Sequence, residues 1–163
     1  MTYIPPQVAE TEMTHTILAA GLNLRSRGKV RDTFGLPGHP DLLLQWATDR
    51  LSIYDFVLGG TIPDKGAVLT ALTVFWLDEV LRGKCNHHMV AFGAGIDEYL
   101  PEPLQNNPGL QKTALVVRHL DVVPVEGVCR GYLTGSGWEK YRMDKPVCGH
   151  VLGPGLNDGA RLP

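Results

Sequence analysis

The chain has 163 residues, 44% of them hydrophobic, 20% charged and 7% aromatic, with a formal net charge of −2. That length suits one domain or two small lobes, and the composition excludes a disordered chain. Nineteen glycines and twelve prolines argue against an all-helical bundle, and 15 Lys and Arg against 17 Asp and Glu exclude a general binder of nucleic acid or membrane surfaces.

In chain order, a short helix is expected around residues 10–20, ended by Gly21. From Leu24 to Phe34, Arg25, Arg27, Lys29 and Arg31 recur at every second position, and on one β-strand they would share a face. Leu42 to Thr48 (LLLQWAT) is a second apolar run, and Pro37, Gly38 and Pro40 before it predict a hairpin. The polar segment DRLSIYD follows. From Ala67 to Leu81 the spacing of Leu69, Leu72, Phe75, Trp76 and Val80 predicts a helix with Trp76 and its neighbours in the core, closed at Gly83. The Val-rich runs Leu115 to Leu120 and Val122 to Tyr132 are predicted strands, with Pro124 marking an edge, a bulge or a connection between lobes. Residues 147–163, rich in Gly and Pro, are predicted to be mostly loop.

Cys85, Cys129 and Cys148 are odd in number and widely spaced, which fits neither a zinc motif nor a disulfide framework and suggests a reducing compartment. The N-terminus has no cationic start followed by an apolar segment, and no run approaches the ~20 apolar residues of a membrane span, so a cytoplasmic protein is expected. His87 and His88 lack acids or cysteines at metal spacing, and GAGID at 93–97 lacks the third glycine of a dinucleotide fingerprint.

Three constellations could carry chemistry. In GKVRD, Gly28 permits close backbone approach, and Lys29 with Arg31 could lie over phosphate oxygens, although for the stripe taken alone a solvated cationic face is the simpler explanation. In TGSGWEKY, Ser136 and Glu139 fit a capping box, so a helix should begin there; its free N–H groups, with Arg130 from the adjacent segment, would form a phosphate-monoester pocket, or an ordinary strand-to-helix turn. Asp49, Arg50, Ser52 and Asp55 could position a polar substrate or cap and pair locally.

Taken together these segments resemble the SAICAR synthetase (phosphoribosylaminoimidazole-succinocarboxamide synthase) family of purine biosynthesis. The resemblance is carried in order by RGKVRD, ATDRLSIYDFVL, IPDKG, LTALTVFW, NHH and above all VPVEGVCRGYLTGSGWEKY, residues 123–141. It implies an α+β fold: an antiparallel sheet lobe with a packed helix over residues 1–121, and from 122 to 163 the start of a second, ATP-grasp-like lobe.

The resemblance also implies ATP-dependent ligation of L-aspartate to CAIR through an acyl phosphate. Lys29, Val30 and Arg31 would lie along the ATP phosphates, and the strand from Arg118 through Leu120 to Val122 would carry the adenine. Arg130 and Ser136 would hold the CAIR phosphate, Asp49, Arg50, Ser52 and Asp55 would fall in the substrate region, and Glu126 would sit in the cleft. Family members continue into a D-x-K-x-E-F-G-like segment that serves Mg²⁺, ATP and CAIR, and these 163 residues contain no such segment. The metal ligands are therefore expected outside this chain, which is expected to be an incomplete portion of the enzyme with weak or no activity of its own. The competing class is a non-catalytic nucleotide- or phosphate-binding module.

Overall fold

The computed structural model describes residues 11–53, 56–125 and 127–162. The chain divides into two compact units, residues 1–121 and 122–163. In the first, helix α1 (Glu12–Ala19) is capped by Thr11, whose hydroxyl accepts from the Thr14 N–H, and the chain leaves it through Gly21 at φ 91°. Strands β1 (Asn23–Arg27), β2 (Arg31–Leu36) and β3 (His39–Ala47) then form an antiparallel meander, with Gly38 at φ 78° in the second turn. After the hairpin β4 (Arg50–Ile53) and β5 (Phe56–Thr61) comes α2 (Lys65–Val74), continued by a π-helical turn over Phe75–Val80.

Strand β6 (Met89–Phe92), two short 3₁₀ segments, the helix α3 (Pro108–Thr113) and β7 (Ala114–Arg118) complete the unit. The five-stranded sheet has the order β1-β2-β3-β7-β6 and every pairing is antiparallel. Its core follows from register. Phe34 lies opposite Leu44, and Leu44 opposite Val116, which makes a row of fully buried side chains across three strands. Ile17, Ile96, Leu104 and Leu110 cover that row. On the reverse face Leu43, Met89, Leu115 and Val117 meet Val74 and Leu77.

Three expectations fail for physical reasons. The cationic stretch is two strands rather than one: the turn at 28–30 intervenes, with the Gly28 N–H donating to the Arg31 carbonyl at 2.7 Å, and a register shift after Leu24 turns Arg27 inward, so the four cations share no face. The helix forms, but Leu72, Phe75 and Trp76 are about half exposed. Its inward positions are Gly66, Thr70, Val74 and Leu77. A Cβ on Gly66 would collide with the Ala47 carbonyl oxygen, and the Thr70 hydroxyl donates to the Thr113 carbonyl at 3.1 Å; these close contacts fix the helix rotation and turn the bulky residues outward. Finally, strand β7 stops at Arg118, and residues 119–125 and 127–131 contain no strand, so Val122, Val123, Val125 and Val128 are exposed.

The second unit has β8 (Tyr132–Leu133), α4 (Gly135–Arg142) and β9 (Ala160–Arg161), with β8 and β9 antiparallel. Between α4 and β9 the chain is mostly irregular, as its Gly and Pro content requires. The Tyr141 hydroxyl pins this loop, donating to the Gly153 carbonyl at 2.9 Å and accepting from the Leu156 N–H at 3.0 Å.

Candidate functional site

In the first unit the polar segment after β3 organises two neighbouring backbone features. The Asp49 carboxylate accepts from the N–H groups of Asp64 (3.2 Å) and Gly66 (2.8 Å), so it satisfies donors at the N-terminus of α2 and matches its positive dipole end. Asp64 itself sits at φ 62° with no side-chain cap, which explains why a residue from elsewhere serves as cap. Arg50 turns the other way. Only 5% exposed, it forks onto Asp32 with Nη1 3.1 Å from Oδ2 and Nη2 2.5 Å from Oδ1, and it reaches the Gly28 and Lys29 carbonyls. Arg27 Nε stands 3.7 Å from the same carboxylate.

The hydrogen-bonding groups of both side chains are engaged with α2 and with the turn at 28–30. Ser52 is half-buried in β4 opposite Val57, while Asp55 lies outside the described residues. Lys29 and Val30 form the tip of the turn and Arg31 opens β2. Arg118 ends β7 and Leu120 is exposed just beyond it. Beside Arg31, His88 has its pKa held below 6.5, first by burial, then by His87 and the Arg31 guanidinium. This joins the NHH segment to the cationic turn.

In the second unit Arg130 and α4 meet as the sequence suggests. Arg130 Nη1 donates to Thr134 Oγ1 at 3.3 Å, and a Cβ on Gly135 would stand 3.4 Å from the same nitrogen. Gly135 has φ 53°, a left-handed conformation that favours glycine. The helix does not use the capping box: Thr134 is its N-cap without a side-chain bond, and Glu139 pairs with Arg142 at 3.3 Å. The first N–H groups of an α-helix have no partner within it, so Gly135 and Ser136 present donors beside the guanidinium. A cavity of about 630 Å³ lies here, lined by Arg130, Ser136, Lys140, Leu133, Cys148 and His150 among others. Sequence reasoning missed Lys140, although its place four residues after Ser136 puts both on one helix face. Glu126 lies outside the described residues.

An arginine beside a glycine-opened helix start in one unit, and a glycine-lysine turn between two strands in the other, occur in the chain order of the recognised motifs. The model of the SAICAR synthetase family matches residues 24–163. The chain belongs to the SAICAR synthetase family. It is 40% identical over 142 residues to the phosphoribosylaminoimidazole-succinocarboxamide synthase of Desulfotalea psychrophila, which covers 87% of this chain and 47% of that protein. To the Methylococcus capsulatus enzyme of the same name it is 41% identical over 144 residues, 88% and 46% of the two chains.

The SAICAR synthase of Saccharomyces cerevisiae, solved in complex with SAICAR, superposes with a TM-score of 0.79 at 34% identity, over 96% of this chain and 52% of that one. A type-2 SAICAR synthetase solved with ADP shares the fold at a TM-score of 0.56 and 22% identity, over 84% and 45% of the chains. The α+β architecture with its antiparallel sheet is therefore that of SAICAR synthetases. The chain spans about half the length of the curated relatives it matches.

Among the described residues no three His, Cys, Asp or Glu side chains gather to hold a metal ion. No helix among the described residues is long and apolar enough to cross a membrane.

Proposed function

We propose that this chain supplies the nucleotide-phosphate turn and the phosphate-monoester pocket of an ATP-dependent ligase that joins L-aspartate to the carboxylate of CAIR, giving SAICAR. The observation that carries the reading is the meeting of Arg130 with the start of α4. A guanidinium 3.4 Å from the Cβ position of Gly135, next to outward helix N–H donors, matches the charge and geometry of a ribonucleotide phosphate. Support comes from the yeast structure, which was solved with SAICAR bound.

A carboxylate is a poor electrophile. In this reading the γ-phosphoryl group of ATP passes to a CAIR carboxylate oxygen, with ADP leaving; the aspartate amine then attacks the acyl carbon, loses a proton and expels phosphate. Phosphoryl transfer depends chiefly on positioning and on charge neutralisation. Lys29 and Arg31 supply cations along the phosphates, with the Val30 backbone between them. Arg118 and Leu120 border the adenine, and Arg130, Ser136 and Lys140 hold the CAIR phosphate. Ser52 and Asp55 belong to the substrate region, Glu126 to the cleft. The remaining half of the relatives' length supplies the rest of the catalytic machinery, in the cytoplasm where purine precursors are made.

Calorimetric titration of the chain with CAIR tests this reading. Saturable binding that falls at least tenfold in Arg130→Ala is expected, since a lost charge-assisted bond to phosphate is worth ~1.5–3 kcal/mol. Equal CAIR affinity in the folded variant would remove the pocket from the proposal. SAICAR formation by a polypeptide of the relatives' full length, and not by these 163 residues, separates a portion of an enzyme from a binding module.

A further inference from the structure

Arg50 has two more connections than an ion pair needs. Besides its fork onto Asp32, its Nε donates to the Lys29 carbonyl at 3.2 Å and its Nη2 to the Gly28 carbonyl at 3.1 Å. The next carbonyl, that of Val30, accepts from both the N–H (3.0 Å) and the hydroxyl (2.9 Å) of Thr48. Thr48 in turn accepts the Arg50 N–H on its hydroxyl at 3.3 Å. Three consecutive carbonyls of the turn are thus drawn to one side by two residues of the segment that follows β3. A trans peptide sets each N–H opposite the carbonyl of its own unit. The N–H groups of Lys29, Val30 and Arg31 are accordingly directed to the other side, an arrangement of successive donors that receives anions.

We propose that Arg50, oriented by the buried Asp32 and aided by Thr48, is a positioning residue that sets the 28–30 turn to receive the polyphosphate of a nucleotide and does not itself touch substrate. Four of the five N–H donors of its guanidinium are already taken, two by Asp32 and two by the turn, and it is 5% exposed. The proposal rests on the nucleotide reading above and deepens it. Asp32 keeps the fork fixed: a carboxylate accepting two parallel bonds leaves the guanidinium plane little freedom.

The test is a titration of the 163-residue chain and its variants Arg50→Lys and Thr48→Val with ATP, ADP, AMP and adenosine, and with CAIR. Folding of each variant is checked by circular dichroism. Lysine keeps the charge but cannot bridge Asp32 and two carbonyls at once. Arg50→Lys is expected to weaken ATP and ADP about tenfold while changing adenosine and CAIR less than twofold, because the lost interactions serve the turn alone. Thr48→Val leaves the Arg50–Asp32 pair intact and should show the same selectivity with a loss of about threefold; it decides the matter if Arg50→Lys does not fold. Equal loss for adenosine and ATP, no loss in a folded variant, or a loss confined to CAIR would each overturn the positioning role. If instead the unmutated chain binds ATP no better than adenosine, the nucleotide reading itself is what fails.

Discussion

Arg50 and Asp32 stand 18 positions apart and form a bidentate pair in which neither side chain is more than 6% exposed. Arg27 adds a second guanidinium at 3.7 Å from the same carboxylate. One acid therefore serves two buried cations. Removing it takes from Arg50 the carboxylate it forks onto, a situation that typically costs about 3–5 kcal/mol. Asp32→Ala is expected to lower the urea unfolding free energy by roughly that amount. The double variant Asp32→Leu with Arg50→Met should lose less than the two single changes together, because it removes opposite charges as a pair. A loss below about 1 kcal/mol in Asp32→Ala would mean that the pair is no more than a surface ion pair in effect.

The approach of α2 to β3 depends on a missing side chain. A Cβ on Gly66 would meet the Ala47 carbonyl and stand 3.3 Å from Asp49 Oδ1, the same oxygen that accepts the Gly66 N–H. Backbone, not a flexible side chain, would have to yield. Gly66→Ala should therefore destabilise the chain by about 1–3 kcal/mol, the usual range for overpacking, although alanine is the better helix former. Chemical denaturation decides it, since propensity alone forecasts a gain of up to about 1 kcal/mol.

These two relationships also show what a sequence conveys and what it withholds. Apolar patterning located β3, α2 and β7 because each carries a local run or repeat of apolar residues, whereas the glycines and polar residues of TGSGWEKY marked the start of α4. Patterning could not orient α2, because the rotation is set by the contact of Gly66 with Ala47, a long-range fact. Cation alternation from Arg25 to Arg31 hid the turn, and Gly28 was its one local sign. Asp49 and Arg50 carried the right residue types for a polar site. Their actual partners, the N-terminus of α2 and the 28–30 turn, come into reach only through the sheet register. The valines of 122–128 have strand composition without a neighbouring strand to pair with. The meeting of Arg130 with the start of α4 was readable because those parts are adjacent in sequence, while Cys148 and His150, which also line the cavity, come from beyond α4.

Gly135 offers a second test of that pocket. At φ 53° an alanine is strained by roughly 1–2 kcal/mol, and its methyl would press on the guanidinium at 3.4 Å. Gly135→Ala is expected to weaken CAIR binding by more than its modest loss of stability, with Lys140→Ala weakening it by a smaller, salt-dependent amount. Calorimetry at two ionic strengths distinguishes the two variants: affinity unchanged in both would show that the phosphate does not bind at the start of α4.

His88 gives a proton-based readout of the other site. Burial first, then His87 and the Arg31 guanidinium, hold its pKa below the 6.5 of an unfolded chain. The folded state therefore binds fewer protons than the unfolded state in that interval, so stability rises with pH there. The contribution is complete above the unfolded value and is lost as pH falls through it and on through the lower folded value. The His88 imidazole signal followed by NMR against pH should show a midpoint below 6.5. Saturating ATP should then raise that midpoint, because phosphate charge placed beside Arg31 offsets the repulsion that depresses it. A midpoint that stays fixed while ATP binds would place the phosphates away from Arg31, and with them the turn at 28–30.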